Sequence, residues 1–293
     1  MFADLPYPSR RPSRGRVIAL HCSGGGAGQW RQLAEMLGGG HTLLTPEHYG
    51  TEATGPWTGE HAFALADEAA RIVALIDASD EQVHLVGHSY GGGVALRVAL
   101  SRPGRIASMA LYEPSAFHLL RQLGETAAAA FAEIAGLAGR IGRGVATGDY
   151  RSAMATFVDY WSGPGAWDGL RPPVQSALIR WAPKAPMDFH ALISETTPAD
   201  AYRELTFPAL LMRGERGPAP TRLIAEALAG LMPASRLVVA GGAGHMGPLT
   251  HAPVVLATVA RHIASAEPGA PRFGSGPAWE PLGLLSRPTG SAP

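Results

Sequence analysis

Five residues, Gly87-His88-Ser89-Tyr90-Gly91, constrain this chain more than any other stretch. They follow a short apolar run, Val83-His84-Leu85-Val86, and precede a helical pattern from Gly91 to Leu100 that Pro103 ends. A serine on so tight a turn between strand and helix has its hydroxyl lifted above the sheet edge, with a helix N-terminus behind it. The flanking glycines are needed because the turn leaves no room for side chains there. Such a turn belongs to a sheet covered by helices, so the rest of the chain should alternate strand with helix.

It does. Val17 to Leu20 is an unbroken apolar run ending in a glycine cluster, as expected of a strand buried on both faces. Leu43-Leu44, stopped by Pro46, is predicted as a second strand and Val83–Val86 as a third. Ile106–Leu111, Ala209–Met212 and Leu237–Ala240 complete the set. Residues 28–37, 61–78, 91–100, 221–232 and 250–265 are predicted as helices, with apolar residues recurring at threes and fours where the faces are clearest. Residues 114–204 interrupt the rhythm: they are Ala-rich, helical in places, and carry Phe131, Phe157, Trp161, Trp167, Trp181 and Phe189. The sum predicts an α/β fold, a mainly parallel sheet flanked by helices, with one helical cap insertion. The expected organisation is an arm over 1–15, a core over 16–113 and 205–265, a cap over 114–204 and a disordered tail over 266–293, rich in Pro, Gly and Ser.

Composition narrows the partners. With 46% hydrophobic and 16% charged residues the chain can build a core. Its 24 Lys and Arg balance 24 Asp and Glu, which argues against a nucleic-acid partner; the expected partner is a small-molecule substrate. Lys184 is the only lysine, read here as compositional bias toward arginine. Cys22 is the only cysteine, so no intrachain disulfide forms. The N-terminus has no secretory pattern and no apolar run reaches the ~18 residues of a membrane helix, so a cytoplasmic protein without a membrane span is expected.

A serine hydroxyl needs a base to act as a nucleophile. Of eleven histidines, His245 has the best placement, in Gly241-Gly242-Ala243-Gly244-His245 between the last strand and the last helix. His88 and His21 are expected to orient their own turns, and His41, His48, His61, His118, His190, His251 and His262 to serve surface or packing. His84 and His88 lie four apart but on strand and turn, so no metal site is expected, and no cofactor. Charge developing on a substrate carbonyl needs two backbone N–H donors. The amide of Tyr90 should supply one and that of Ser23, in His21-Cys22-Ser23-Gly24-Gly25-Gly26, the other. A dinucleotide loop is excluded there, because Gln29 stands where its third glycine is required.

Taken together, HCSGGGAGQW, PEHYG, GHSYGG, LYEP and GAGHMGP resemble the α/β-hydrolase superfamily over roughly residues 15–265. The resemblance implies a mainly parallel sheet, a cap over the pocket, and hydrolysis through an acyl-serine intermediate. The two leading strands usual in the family are not evident in residues 1–15, so the chain is expected to start one or two strands short. The family's usual acid, an Asp after the strand that follows the cap, is also missing: Gly214-Glu215-Arg216-Gly217 has Gly217 at that position. Glu113, in Leu111-Tyr112-Glu113-Pro114, is the preferred replacement, since some relatives carry the acid at that strand end and Pro114 keeps Glu113 extended. Glu215 and the lack of any acid are the alternatives.

The cap aromatics, with Met154 and Met187, suggest an apolar pocket, although most would serve the cap's own core. Phe117, Trp161, Trp181 and Phe189 are the candidate substrate-binding residues. The expected substrate is a small, largely apolar ester or thioester. The same residues would also serve C–C bond hydrolysis, amide cleavage or acyl transfer. Haloalkane and epoxide chemistry is disfavoured, because those relatives use Asp where Ser89 stands. Gly217 in place of Asp leaves a non-catalytic ligand-binding protein as the competing class.

Overall fold

The computed structural model describes residues 15–267. The expected arm, including its expected lack of leading strands, falls on residues 1–14 apart from Gly15, and the expected tail falls almost wholly beyond Glu267; both lie outside the described residues. Six strands form one sheet: β1 Arg16–Leu20, β2 Thr42–Leu44, β3 Val83–His88, β4 Ile106–Tyr112, β5 Ala209–Gly214 and β6 Ser235–Ala240. All neighbouring pairs are parallel, in the order β2-β1-β3-β4-β5-β6. Strand order reverses at β1, and in such sheets ligands bind in the crevice beyond the carboxyl ends at the reversal, here between β1 and β3.

The helices in chain order are α1 (Arg31–Leu37), α2 (Leu65–Asp77), α3 (Tyr90–Ser101), α4 (His118–Gln122), α5 (Glu125–Ala146), α6 (Tyr150–Ser162), α7 (Pro172–Trp181), α8 (Ala185–Ile193), α9 (Ala219–Leu231), α10 (Gly247–Thr250) and α11 (Ala252–Ser265). Successive strand residues face opposite layers. Val17, Ala19, Val86 and Leu210 pack with Leu33 of α1 and Val255, Val259 and Ile263 of α11. Ile18, Leu20, Leu85 and Leu211 face the other layer, where Ile72, Val94 and Ile224 of α2, α3 and α9 lie. The helix expected from residue 61 starts at Leu65, because the Asp67 carboxylate accepts the Ala64 amide at 2.8 Å and closes the N-terminus there.

Helices α4 to α8 are inserted between β4 and β5 and form the cap. Helix α5 follows from Ala127, Ala130, Ile134, Leu137 and Ile141, a buried stripe at helical spacing. Asp149 caps α6 by accepting the Ser152 amide at 3.2 Å, and two prolines open α7, where no intrahelical N–H is lost. Among the described residues no helix is long and apolar enough to cross a membrane.

Candidate active site

The turn after β3 is strained. Ser89 has φ 54° and ψ −119°. With Glu113 it is one of two non-glycine residues at positive φ among the described residues; at φ 42° Glu113 is left-handed and not extended, so the expectation drawn from Pro114 is corrected here. Such conformations cost about 1–3 kcal/mol each and persist where the surroundings over-determine them. The Ser89 amide donates to the Tyr112 carbonyl at 3.1 Å, and its own carbonyl accepts from Gly92, Gly93 and Ser115. Close approach explains one glycine: a Cβ on Gly91 would lie 2.3 Å from the Leu20 carbonyl oxygen.

Ser89, His245 and Glu113 come together at the carboxyl edge of the sheet. The Ser89 hydroxyl lies 2.9 Å from His245 Nε2, and His245 Nδ1 lies 2.7 Å from Glu113 Oε2. Glu113 also accepts from the Gly214 amide and the Thr221 hydroxyl, both at 2.8 Å, so its carboxylate is fixed from three sides. Gly217 has a physical explanation here. A Cβ at that position would sit 1.9 Å from Glu113 Oε1, so the Glu113 carboxylate occupies the space that a side chain at 217 would need. Glu215, the alternative acid, instead accepts the Gly242 amide at 2.7 Å in an exposed position.

The loop carrying His245 is pinned from below. Gln29 Nε2 donates to His88 Nδ1 at 3.1 Å, and His88 Nε2 donates to the His245 carbonyl at 2.8 Å. Burial pushes the His88 imidazole well below its ordinary range, with His245 adding to it, so the ring is neutral and can play both parts. The Tyr112 hydroxyl holds the preceding Gly244 carbonyl at 2.8 Å. Gln29 Oε1 also accepts the Cys22 amide at 3.2 Å, which ties the loop after β1 into the same chain of bonds. In that loop His21 donates to the Cys22 carbonyl and accepts the His48 amide. Among the described residues neither the Ser23 nor the Tyr90 amide donates to a protein acceptor, as a pair of free oxyanion donors requires. Cys22 beside them is inert, because burial pushes its thiol up to about 12.

Three of the four candidate substrate-binding residues gather beside the imidazole. The Trp161 and His245 ring centroids are 4.1 Å apart, Phe117 stacks near Trp161 at 6.5 Å, and Phe117 and Phe189 are 6.1 Å apart. Trp181 stands further off, joined to this group through Phe157 at 5.5 Å. It lies against Gly24 and in the wall of a cleft of about 850 Å³, which Gly25, Trp57, Arg180, Lys184 and Met187 also line. Met154 is core.

Several polar residues were not singled out from the sequence. Ser115 Oγ lies 3.2 Å from Ser89 Oγ. Glu68, Lys184 and Asp188 form a buried ionic cluster between α2 and the cap, with Lys184 bonded to both carboxylates. The lone lysine and its i,i+4 acid were the only local signals of that cluster. His48, expected to be surface or packing, is buried at its edge, and burial, then His21, pushes its imidazole down to about 4. At the opposite end of the sheet His41 and His84 both meet Glu267 Oε1, at 2.8 and 3.2 Å. One carboxylate oxygen accepting two imidazoles satisfies that group as hydrogen bonds.

Residues 17–259 match the model of a family described as the alpha/beta hydrolase family. Among curated proteins, the chain is 36% identical to the RutD protein of Variovorax paradoxus, named for a carbamate hydrolase, over 36% of this chain and 41% of that one. It is 32% identical to the 2-hydroxy-6-oxo-6-phenylhexa-2,4-dienoate hydrolase of Comamonas testosteroni, over 33% and 36% of the two chains. These matches thus span about two fifths of the relatives' length. The solved structure of MGS-M2, an alpha/beta hydrolase from a Medee basin deep-sea metagenome, superposes with a TM-score of 0.72 at 15% identity, covering 89% of this chain and 92% of that one. The family match runs from the first strand into the last helix and takes in every strand but one terminal residue, so the chain belongs to the alpha/beta hydrolase family.

Proposed function

We propose that this protein is a serine hydrolase acting on a small, largely apolar ester or related acyl substrate, with residues 16–113 and 205–265 as its core and 114–204 as its cap. The carrying observation is the Ser89–His245–Glu113 hydrogen-bond chain, at 2.9 and 2.7 Å. Ser89 Oγ attacks the substrate carbonyl carbon as His245 Nε2 takes its proton. Glu113 holds the Nδ1–H tautomer and steadies the imidazolium that forms. The Ser23 and Tyr90 amides receive the charge on the carbonyl oxygen. His245 then returns the proton to the leaving group, and water repeats the sequence on acyl-Ser89. Phe117, Trp161 and Phe189 supply an apolar wall beside the reacting atoms, and Trp181 lies against Gly24, next to the Ser23 amide. Because Glu113 can serve as the acid, Gly217 no longer favours a non-catalytic binder.

The Comamonas relative favours one second reading, C–C bond hydrolysis on the same residues. A graded series of p-nitrophenyl esters, a vinylogous diketone and a fluorophosphonate probe separate the cases. The expected result is ester turnover and labelling of Ser89, with both abolished to about one part in 10⁴ or less in Ser89→Ala. Labelling with diketone but no ester turnover would select the C–C reaction. An unlabelled wild type would refute a serine hydrolase.

A further inference from the structure

The two amides assigned to the oxyanion hole belong to residues whose side chains end in one buried ionic cluster. The Ser23 hydroxyl donates to Asp188 Oδ2 at 2.6 Å. The Tyr90 hydroxyl donates to Glu68 Oε2 at 3.1 Å. Lys184 joins the two acids, bonded to Asp188 Oδ1 and lying 3.4 Å from Glu68 Oε2. Glu68, Lys184 and Asp188 are no more than 4% exposed. Burying three charges is costly and is a weak device for stability alone. This cluster is nevertheless completed with care. The Tyr49 amide and Arg71 also serve Glu68, and the ammonium lies 4.3 Å from the Phe63 ring centroid and 5.0 Å from that of Tyr90. Gly50, at φ +87°, leaves the space that the Lys184 stem fills. A compact ammonium suits a site closed by two rings and two acids, where a wide guanidinium fork does not. That accounts for the single lysine in a chain that otherwise uses arginine.

We propose, building on the serine-hydrolase assignment above, that Glu68, Lys184 and Asp188 are positioning residues that set the oxyanion hole through the Ser23 and Tyr90 hydroxyls. Asp188 and Lys184 come from the cap and Glu68 from the core, so the hole takes its final geometry only when the cap is seated. Glu68 and Asp188 act through Tyr90 and Ser23, and Lys184, which also lines the cleft beside Trp181, acts on the hole through the two acids.

The test uses the full chain and the p-nitrophenyl ester that wild type turns over fastest, with a trifluoromethyl ketone of matching acyl length. The ketone's adduct carries an oxyanion and so reports on the hole. Ser23→Ala and Asp188→Ala should each lower kcat about 10-fold, a fraction of the 10²–10³ for losing a donor outright. KM should stay within twofold and the ketone's inhibition constant should rise by the factor lost in kcat. The double variant should be no worse than Asp188→Ala alone, because the Ser23 hydroxyl has no other route to the cluster than the bond that Asp188→Ala already removes. Asp188→Asn, which keeps an oxygen for Ser23, should recover most of the loss. Additive losses, losses confined to KM, or an unmoved inhibition constant would overturn the proposal. If Asp188→Ala does not fold, Ser23→Ala and Asp188→Asn carry the same comparison. Absence of both ester turnover and fluorophosphonate labelling in wild type would instead remove the serine-hydrolase assignment.

Discussion

At position 217 a side chain and the Glu113 carboxylate compete for one volume, and the carboxylate holds it. The proposed acid and the glycine that replaces the family's usual one are therefore a matched pair. Glu113→Gln should lower kcat about 10³–10⁴-fold, since an amide can present the wrong group to His245 Nδ1. Glu215→Gln, altering a surface contact to Gly242, should stay within twofold. A stricter test moves the acid: Gly tolerates the positive φ at 113 and frees the space, so Glu113→Gly with Gly217→Asp should recover part of the activity lost in Glu113→Gly alone. Ester kinetics on the four variants checks these expectations, and a double variant no better than Glu113→Gly alone would refute the exchange.

At the scale of elements, the turn between β3 and α3 is as much a packing feature as a chemical one. Gly91 faces the end of β1 so closely that Gly91→Ala should destabilise the fold by about 1–3 kcal/mol through overpacking, measured by urea unfolding. A variant as stable as wild type would show that β1 can give way. This turn was legible in the sequence because its requirements are local: a strand, two glycines and a helix within a few residues. Each strand was legible for the same reason, as a short apolar run bounded by breakers. Glu113 was legible as a candidate, but not its partner Thr221, 108 residues away. The Ser23–Asp188 bond spans 165 residues, and nothing in either neighbourhood announces it. Contacts made by folding the cap back over the sheet leave no periodicity, so the ionic cluster showed only as a lone lysine with an acid four residues on, where the turn was plain.

For the whole molecule, buried histidines set the acid limit. Burial is the largest cause that pushes His48, His118 and His262 down to about 4. The unfolded chain protonates such rings below about 6.5 while the fold holds them neutral. Each therefore stabilises the fold fully above pH 6.5, by up to about 3 kcal/mol, and loses that contribution as pH falls toward 4. Urea unfolding from pH 7.5 to 4.5 should show a midpoint that declines steadily below 6.5, with about four protons taken up on unfolding near pH 5, since His88 joins these three. A midpoint flat down to pH 5 would contradict this account.

The pairing of β3 with β4 runs out to His88 opposite Tyr112, and Ser89 and Glu113 are the next residue on each strand. Nucleophile and proposed acid are thus adjacent teeth on one comb, spaced by the sheet's own ladder and not by the meeting of two loops. With Glu113 as the proposed acid, the segment after β5, the usual place for it in the wider family, is relieved of that duty. The backbone of residues 215 and 216 instead braces the segment that leads to His245, donating to the Ala240 and Ala243 carbonyls, so their exposed side chains can vary while the backbone and the bare position 217 cannot.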